Sequence, residues 1–256
     1  MHGEAPASDG VAIRYTTEGG GTPALVLVHG WSCDQGHWEH QLRSFADRYR
    51  VVAIDLAGHG ASGQERASWS IQGFADDVVA VVDQLDLADV VLIGHSMGGD
   101  VVVDAALALG QRVRGLVWVD VYGDLDSPRS TEAIEGFMAG FADDFPSATD
   151  RFVRGMFPAD ADPAVVERVS TGMASRPPTI AIAAMRASIS NDARVVDQLR
   201  RLTVPVVAID PGERADVESL GRHGLSVVAM PGVGHFPMLE DPARFDAVLA
   251  EIITRF

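Results

Sequence analysis

One serine stands among three glycines in the stretch Gly94-His95-Ser96-Met97-Gly98-Gly99. A serine hydroxyl is a poor nucleophile until a base removes its proton. The G-x-S-x-G pattern is weak by itself and takes its meaning from its flanks. The apolar run 89–96 reads as a buried strand. The run 97–109 reads as a helix that stops at Gly110. On so sharp a strand-to-helix turn the backbone is strained and the hydroxyl is lifted to the rim of a sheet. Gly94 and Gly98 leave the side-chain volume that this turn requires, and Gly99 lets the helix approach the sheet. The helix start behind Ser96 favours developing negative charge.

The candidate base is His235, in "PGVGHFPMLEDP". It follows the last apolar run through a Gly-rich loop and arrives at the same end of the sheet as Ser96. His95 points away from its neighbour Ser96 and reads as structural. His29 and His59 lie in tight turns and read as hydrogen-bonding their own loops. Attack on a carbonyl would build an oxyanion, which needs donors. The Met97 N–H is one by the geometry of the turn. The Trp31 N–H, in "HGWSCD", is the other, and its indole is placed to wall a pocket. The chemistry these residues could perform is acyl transfer. Ser96 attacks, His235 takes the proton and returns it to the leaving group, and water discharges the acyl-enzyme by the same route. Asp55, in "DLAGHGAS", reads as a loop organiser, and Cys33 as a small buried thiol near the crevice.

Positioning these groups takes an alternation of strands and helices. Apolar runs at 24–30, 50–58, 89–96, 112–120, 204–210 and 225–232 are rich in Val and Ile, as strands buried on both faces are. Helical spacing occupies 37–49, 70–85, 97–109 and 242–256, the last opened by Asp241 as N-cap and Pro242 at the first helical position. Segment 10–21 reads as an edge strand or hairpin. The expectation is an α/β fold with a mostly parallel central sheet and helices on both faces. Residues 122–193 break the rhythm with Phe, Met and Pro but no strand-like run. They are expected to form a helical cap insert over the crevice, with residues 1–121 and 194–256 forming the core domain.

The 256 residues are 47% apolar, enough for a core that needs no disulfide or metal, and Cys33 is the only cysteine. The net charge is −16 and all 20 basic residues are arginine. That surface disfavours nucleic acid and anionic membranes as partners. No apolar run approaches the roughly 18 residues of a membrane span. The opening "MHGEAPASDG" lacks the basic and apolar stretches of a secretory leader. A cytoplasmic location is therefore expected.

The HGW loop, "DLAGHGAS", "GHSMGG" and "GVGHFPMLEDP", in this order and spacing, resemble the α/β-hydrolase superfamily, in its small esterase and haloperoxidase-like branch. The resemblance covers nearly the whole chain, most weakly the insert. It implies a Ser-Asp-His triad and no metal or organic cofactor. The acid departs from the common pattern. Relatives usually carry it just past the strand before the histidine strand, as Gly-x-x-Asp. Here Asp216 follows Gly212 by four residues, and Asp210 lies in the strand end. Asp120, at the end of the strand after the nucleophile helix, is the preferred candidate, with Asp216 and Asp210 as alternatives. A serine nucleophile disfavours dehalogenase and epoxide hydrolase chemistry, which use Asp at this place. The expected activity is hydrolysis of a small, partly apolar carboxylic ester. A lactonase, a C–C bond hydrolase, a cofactor-free haloperoxidase or a slow-hydrolysing ligand sensor are alternatives on the same triad. The substrate and the oligomeric state stay open.

Overall fold

The structure is a computed structural model, and it describes residues 1–211 and 216–256. Residues 212–215, including the Gly212 of the Gly-x-x-Asp comparison, lie outside the described residues. The chain opens with a hairpin, β1 (His2–Pro6) and β2 (Ala12–Glu18), whose strands pair antiparallel. Only β2 answers to the edge strand read from 10–21. β1 carries no apolar alternation because, at the margin of the sheet, it buries only Ala5.

The six apolar runs form β3 (Ala24–Val28), β4 (Arg50–Ile54), β5 (Val90–His95), β6 (Val113–Val119), β7 (Val206–Asp210) and β8 (Ser226–Ala229). All six are parallel, in an eight-stranded sheet of order β1-β2-β4-β3-β5-β6-β7-β8. Helices cover both faces, as in the α/β-hydrolase fold. They are α1 (Glu39–Ser44), α2 (Ile71–Gln84), α3 (Met97–Leu109), α4 (Thr131–Ala139), α5 (Phe145–Arg154), α6 (Pro163–Ala174), α7 (Pro178–Ile189), α8 (Asp192–Arg201), α9 (Val217–Arg222), α10 (Pro237–Glu240) and α11 (Pro242–Ile253). As expected, Asp241 caps α11 by accepting the Arg244 N–H at 3.2 Å. The helix read from 37–49 is shorter than its pattern. A 3-10 turn at Gln35–Trp38, capped by the Asp34 side chain, precedes α1, and the chain leaves the helix after Ser44 in a turn over 45–48.

Helix α3 lies at the centre, packed on β5 and β6 beneath it and on α2 and α8 beside it. Every residue of β3 and β5 is buried. In register, Gly94 stands between Val28 and Trp118, so β3, β5 and β6 end nearly level. The residues just past those ends therefore share one edge of the sheet. Helices α4–α8 all fall between β6 and β7.

Candidate active site

Ser96 caps β5 with φ 51° and ψ −123°, a strained conformation for a non-glycine residue. Its N–H donates to the Val119 carbonyl at 3.0 Å, and its carbonyl accepts the Gly99 N–H at 2.8 Å. The turn is tight enough to exclude side chains. A Cβ on Gly94 would stand 2.3 Å from the Gly98 carbonyl oxygen, and one on Gly98 2.5 Å from that of Val28. A Cβ on Gly99 would meet Val121 at 2.3 Å, which accounts for the third glycine.

The structure brings His235 and Asp120 together. His235 Nδ1 lies 2.6 Å from Asp120 Oδ2, and both residues are buried to within a tenth of full coverage. Asp120 sits directly after β6 with φ 46°, its N–H bonded to the Ile209 carbonyl at 3.0 Å. Asp216 does other work. Its Oδ1 caps α9 by accepting the N–H groups of Glu218 and Ser219, each at 3.0 Å. Asp210 is buried at the end of β7, where its carbonyl accepts the Met230 N–H at 2.6 Å. Ser96, His235, Asp120, Trp31 and Met97 all line one cavity of about 380 Å³, and Cys33 also reaches its wall. Met97 opens α3, where the first N–H groups have no intrahelical partner.

The loop carrying His235 is held by two groups the sequence did not single out for that task. His95 Nε2 donates to the His235 carbonyl at 2.8 Å. Burial, with the His235 ring 4.6 Å away, holds the His95 pKa well below the ordinary imidazole value, so the ring is neutral. Glu240 accepts the Gly234 N–H at 2.8 Å and the Phe236 N–H at 2.9 Å. The other turn histidines are fixed too. His29 donates through Nδ1 to the Gly30 carbonyl at 2.8 Å and accepts the Leu56 N–H through Nε2 at 3.1 Å. His59 bonds the Ala57 carbonyl at 2.9 Å. Burial lowers their pKa values to about 4 and about 3. Asp55 does organise its loop, accepting the N–H groups of Gln35 and Ala61 at 2.8 and 2.9 Å.

The helices over the cavity are tied to the loop that follows β3. Trp31 Nε1 donates to the Ala181 carbonyl of α7 at 2.7 Å, and its indole meets Phe141, Phe145 and Phe152 edge-on. Arg176 bonds the Ser32 carbonyl at 3.1 Å and pairs with Asp34. Ser32, Ser96 and Asp120 are three of the four described non-glycine residues with positive φ, and all three lie on the loops and turns that follow β3, β5 and β6. Such strain persists only where surrounding structure enforces it, and it concentrates at functional sites.

One wall departs from the apolar pocket expected from the Phe and Met residues. Asp100, in the first turn of α3, lines the cavity with Tyr122, Arg129 and Ser188. Burial raises its pKa to about 7, against the lowering effect of bonds from Tyr122, Asn191 and Ser188. A raised folded-state pKa means that the folded chain keeps a proton the unfolded chain has released. The stabilisation is complete below the ordinary carboxylate value and is lost as pH rises to about 7. Melting temperatures of the wild type and Asp100→Asn, compared across pH, should show the wild type losing ground between about pH 4 and 7 and the gap flattening above about 8. A gap independent of pH would contradict the shift. The sequence did hold a signal here: Asp100 and Asp104 interrupt an otherwise apolar helix.

A mostly parallel sheet, a serine on a strained strand-to-helix turn and a histidine–carboxylate pair beside it define the hydrolase class of α/β enzyme. Residues 25–248 match the alpha/beta hydrolase family, and the chain belongs to it. Over 133 residues it is 35% identical to the dihydrolipoyllysine-residue acetyltransferase component of an acetoin cleaving system from Cupriavidus necator, covering 52% of this chain and 34% of that protein. The chain thus matches about a third of that relative's length. It is 26% identical to 3-oxoadipate enol-lactonase 2 of Acinetobacter baylyi, over 96% of this chain and 94% of that one. An esterase from Thermogutta terrifontis superposes with a TM-score of 0.86 over 100% of this chain and 98% of that chain; at 23% identity, this likeness concerns the fold. No described helix is long and apolar enough to cross a membrane.

Proposed function

We propose that the chain is a serine hydrolase that cleaves a small, partly apolar carboxylic ester. Ser96 is the nucleophile, His235 the general base and then acid, and Asp120 the carboxylate that orients His235 and supports its charge. The Trp31 and Met97 N–H groups hold the oxyanion. Residues 122–193 act as a cap over a core of 1–121 and 194–256, so that Phe137, Phe152 and Met185 meet the apolar part of the substrate. The observation that carries the reading is the 2.6 Å contact of His235 Nδ1 with Asp120 Oδ2, beside a cavity that Ser96 also lines. His235 with Nδ1–H donating to Asp120 keeps Nε2 free to accept the serine proton. The single cysteine, Cys33, can form no intrachain disulfide, which suits the reducing cytoplasm.

The test is covalent. A fluorophosphonate probe should label one residue, and mass-spectrometric mapping should place it on Ser96. His235→Ala should slow labelling severely. A label on another residue, or labelling of His235→Ala at the wild-type rate, would overturn the assignment. A second reading, lactone opening by the same residues, is supported by the enol-lactonase of Acinetobacter baylyi, which aligns over nearly both full lengths.

A further inference from the structure

The polar wall of the cavity has no part in the chemistry just described. Asp100 lies four residues beyond Ser96 on α3. Ser96, on the turn before α3, and Asp100, in its first turn, line the same cavity. Asp100 Oδ1 already accepts two short bonds, from Tyr122 Oη at 2.8 Å and Asn191 Nδ2 at 2.9 Å. Its Oδ2 has only a long bond from Ser188 Oγ at 3.3 Å. Above about pH 8, where Asp100 is ionised, its carboxylate has about four acceptor sites, so Oδ2 can take another donor. Tyr122 and Ser188 each spend their one proton on Asp100 and keep lone pairs. Arg129 holds Asp192 through Nε at 2.6 Å and Nη2 at 3.0 Å, with guanidinium N–H groups to spare.

The corner therefore offers acceptors together with one cationic donor. A carboxylate on the substrate would meet Asp100 and Asp192, and Arg129 is already neutralised by the latter. A methyl group would strand the Oδ2 acceptor without a partner, at a cost of about 1–3 kcal/mol in a buried site. A hydroxyl satisfies both sides, donating to Asp100 and accepting from Arg129. The leaving oxygen of the ester has to face His235, so the hydroxyl that meets Asp100 is assigned to the acyl side. We propose that Asp100, Tyr122, Ser188 and Arg129 form a recognition corner for a hydroxyl on the acyl chain, so that the preferred substrates are short hydroxyacyl esters. This rests on Ser96 being the nucleophile.

The test, run at about pH 8.5 where Asp100 is ionised, compares three ethyl esters: 3-hydroxybutyrate, 3-methoxybutyrate, which cannot donate, and 3-methylbutyrate, which can neither donate nor accept. The wild type should favour the hydroxy ester over each of the others in kcat/KM by at least about tenfold, the scale of one buried hydrogen bond. Ser188→Ala and Asp100→Asn should each shrink that ratio severalfold, mainly by lowering the hydroxy-ester value. Asp100, Asn191, Gln198 and Asp104 also link α3 to α8, with Gln198 bonded to Asp104 at 2.5 Å. A purely structural brace would lower turnover of all three esters together and leave the ratio at its wild-type value. That outcome, or a wild type that treats the esters alike, overturns the corner while leaving the triad standing. Absence of turnover on all three overturns both. Ser188→Ala removes only an oxygen from a half-buried site, so it reports even where Asp100→Asn fails to fold.

Discussion

Ser96→Ala should lower kcat on a short-chain ester by about 10⁶-fold, leaving only the part of catalysis that oxyanion donors and binding supply. The size follows from the division of labour. In the proposed mechanism no acyl-enzyme forms without the hydroxyl, and neither His235 nor the proposed oxyanion donors can replace it. The fold should be indifferent, because alanine meets the same strain at φ 51° that serine does. Ser96→Gly separates the two effects. It should be equally inactive, yet more stable by about 1 kcal/mol, since glycine removes most of a strain worth about 1–3 kcal/mol while adding some chain entropy to the unfolded state. Kinetics and thermal melts on the pair check this. An active Ser96→Gly would remove the serine from the mechanism, and a less stable one would remove the strain.

The second large effect concerns the carboxylate. Asp120→Asn should cut kcat by about 10⁴-fold with little change in KM. The amide presents an N–H₂ where His235 Nδ1–H needs an acceptor, so the ring is driven to the wrong tautomer. Asp216→Asn should leave kcat within about twofold of wild type. It should barely move stability either, because asparagine caps a helix as well as aspartate does. Steady-state kinetics on the two variants decide between the two positions. A collapse in Asp216→Asn with Asp120→Asn unaffected would move the support of His235 to the later loop.

The reach of the sequence can be judged residue by residue. Strands β3 to β7 were legible because they are largely buried and so read as continuous apolar runs, whereas β8, at the sheet margin, has no fully buried residue and was legible only through the apolar run 225–232. The hairpin strand His2–Pro6 was not, since a marginal strand with one buried side chain leaves no period to detect. The short helices α9 and α10 were missed for a similar reason: six and four residues are too few to show a helical stripe. Near the site, the Gly94-His95-Ser96-Met97-Gly98-Gly99 turn was legible because steric exclusion leaves glycine as the fitting residue there.

The primary structure alone determined the serine on its turn, the imidazole downstream and the loop expected to supply an N–H, because local sterics and strand order write themselves into residue types. Tertiary structure decided which carboxylate meets His235, what Glu240 and His95 brace, and that Asp100 turns part of the cavity polar. Each of those depends on groups far apart in the chain, such as the 115 residues between Asp120 and His235. Their distances follow from how β6, β7 and the cap pack, and no local pattern records a distance set by packing.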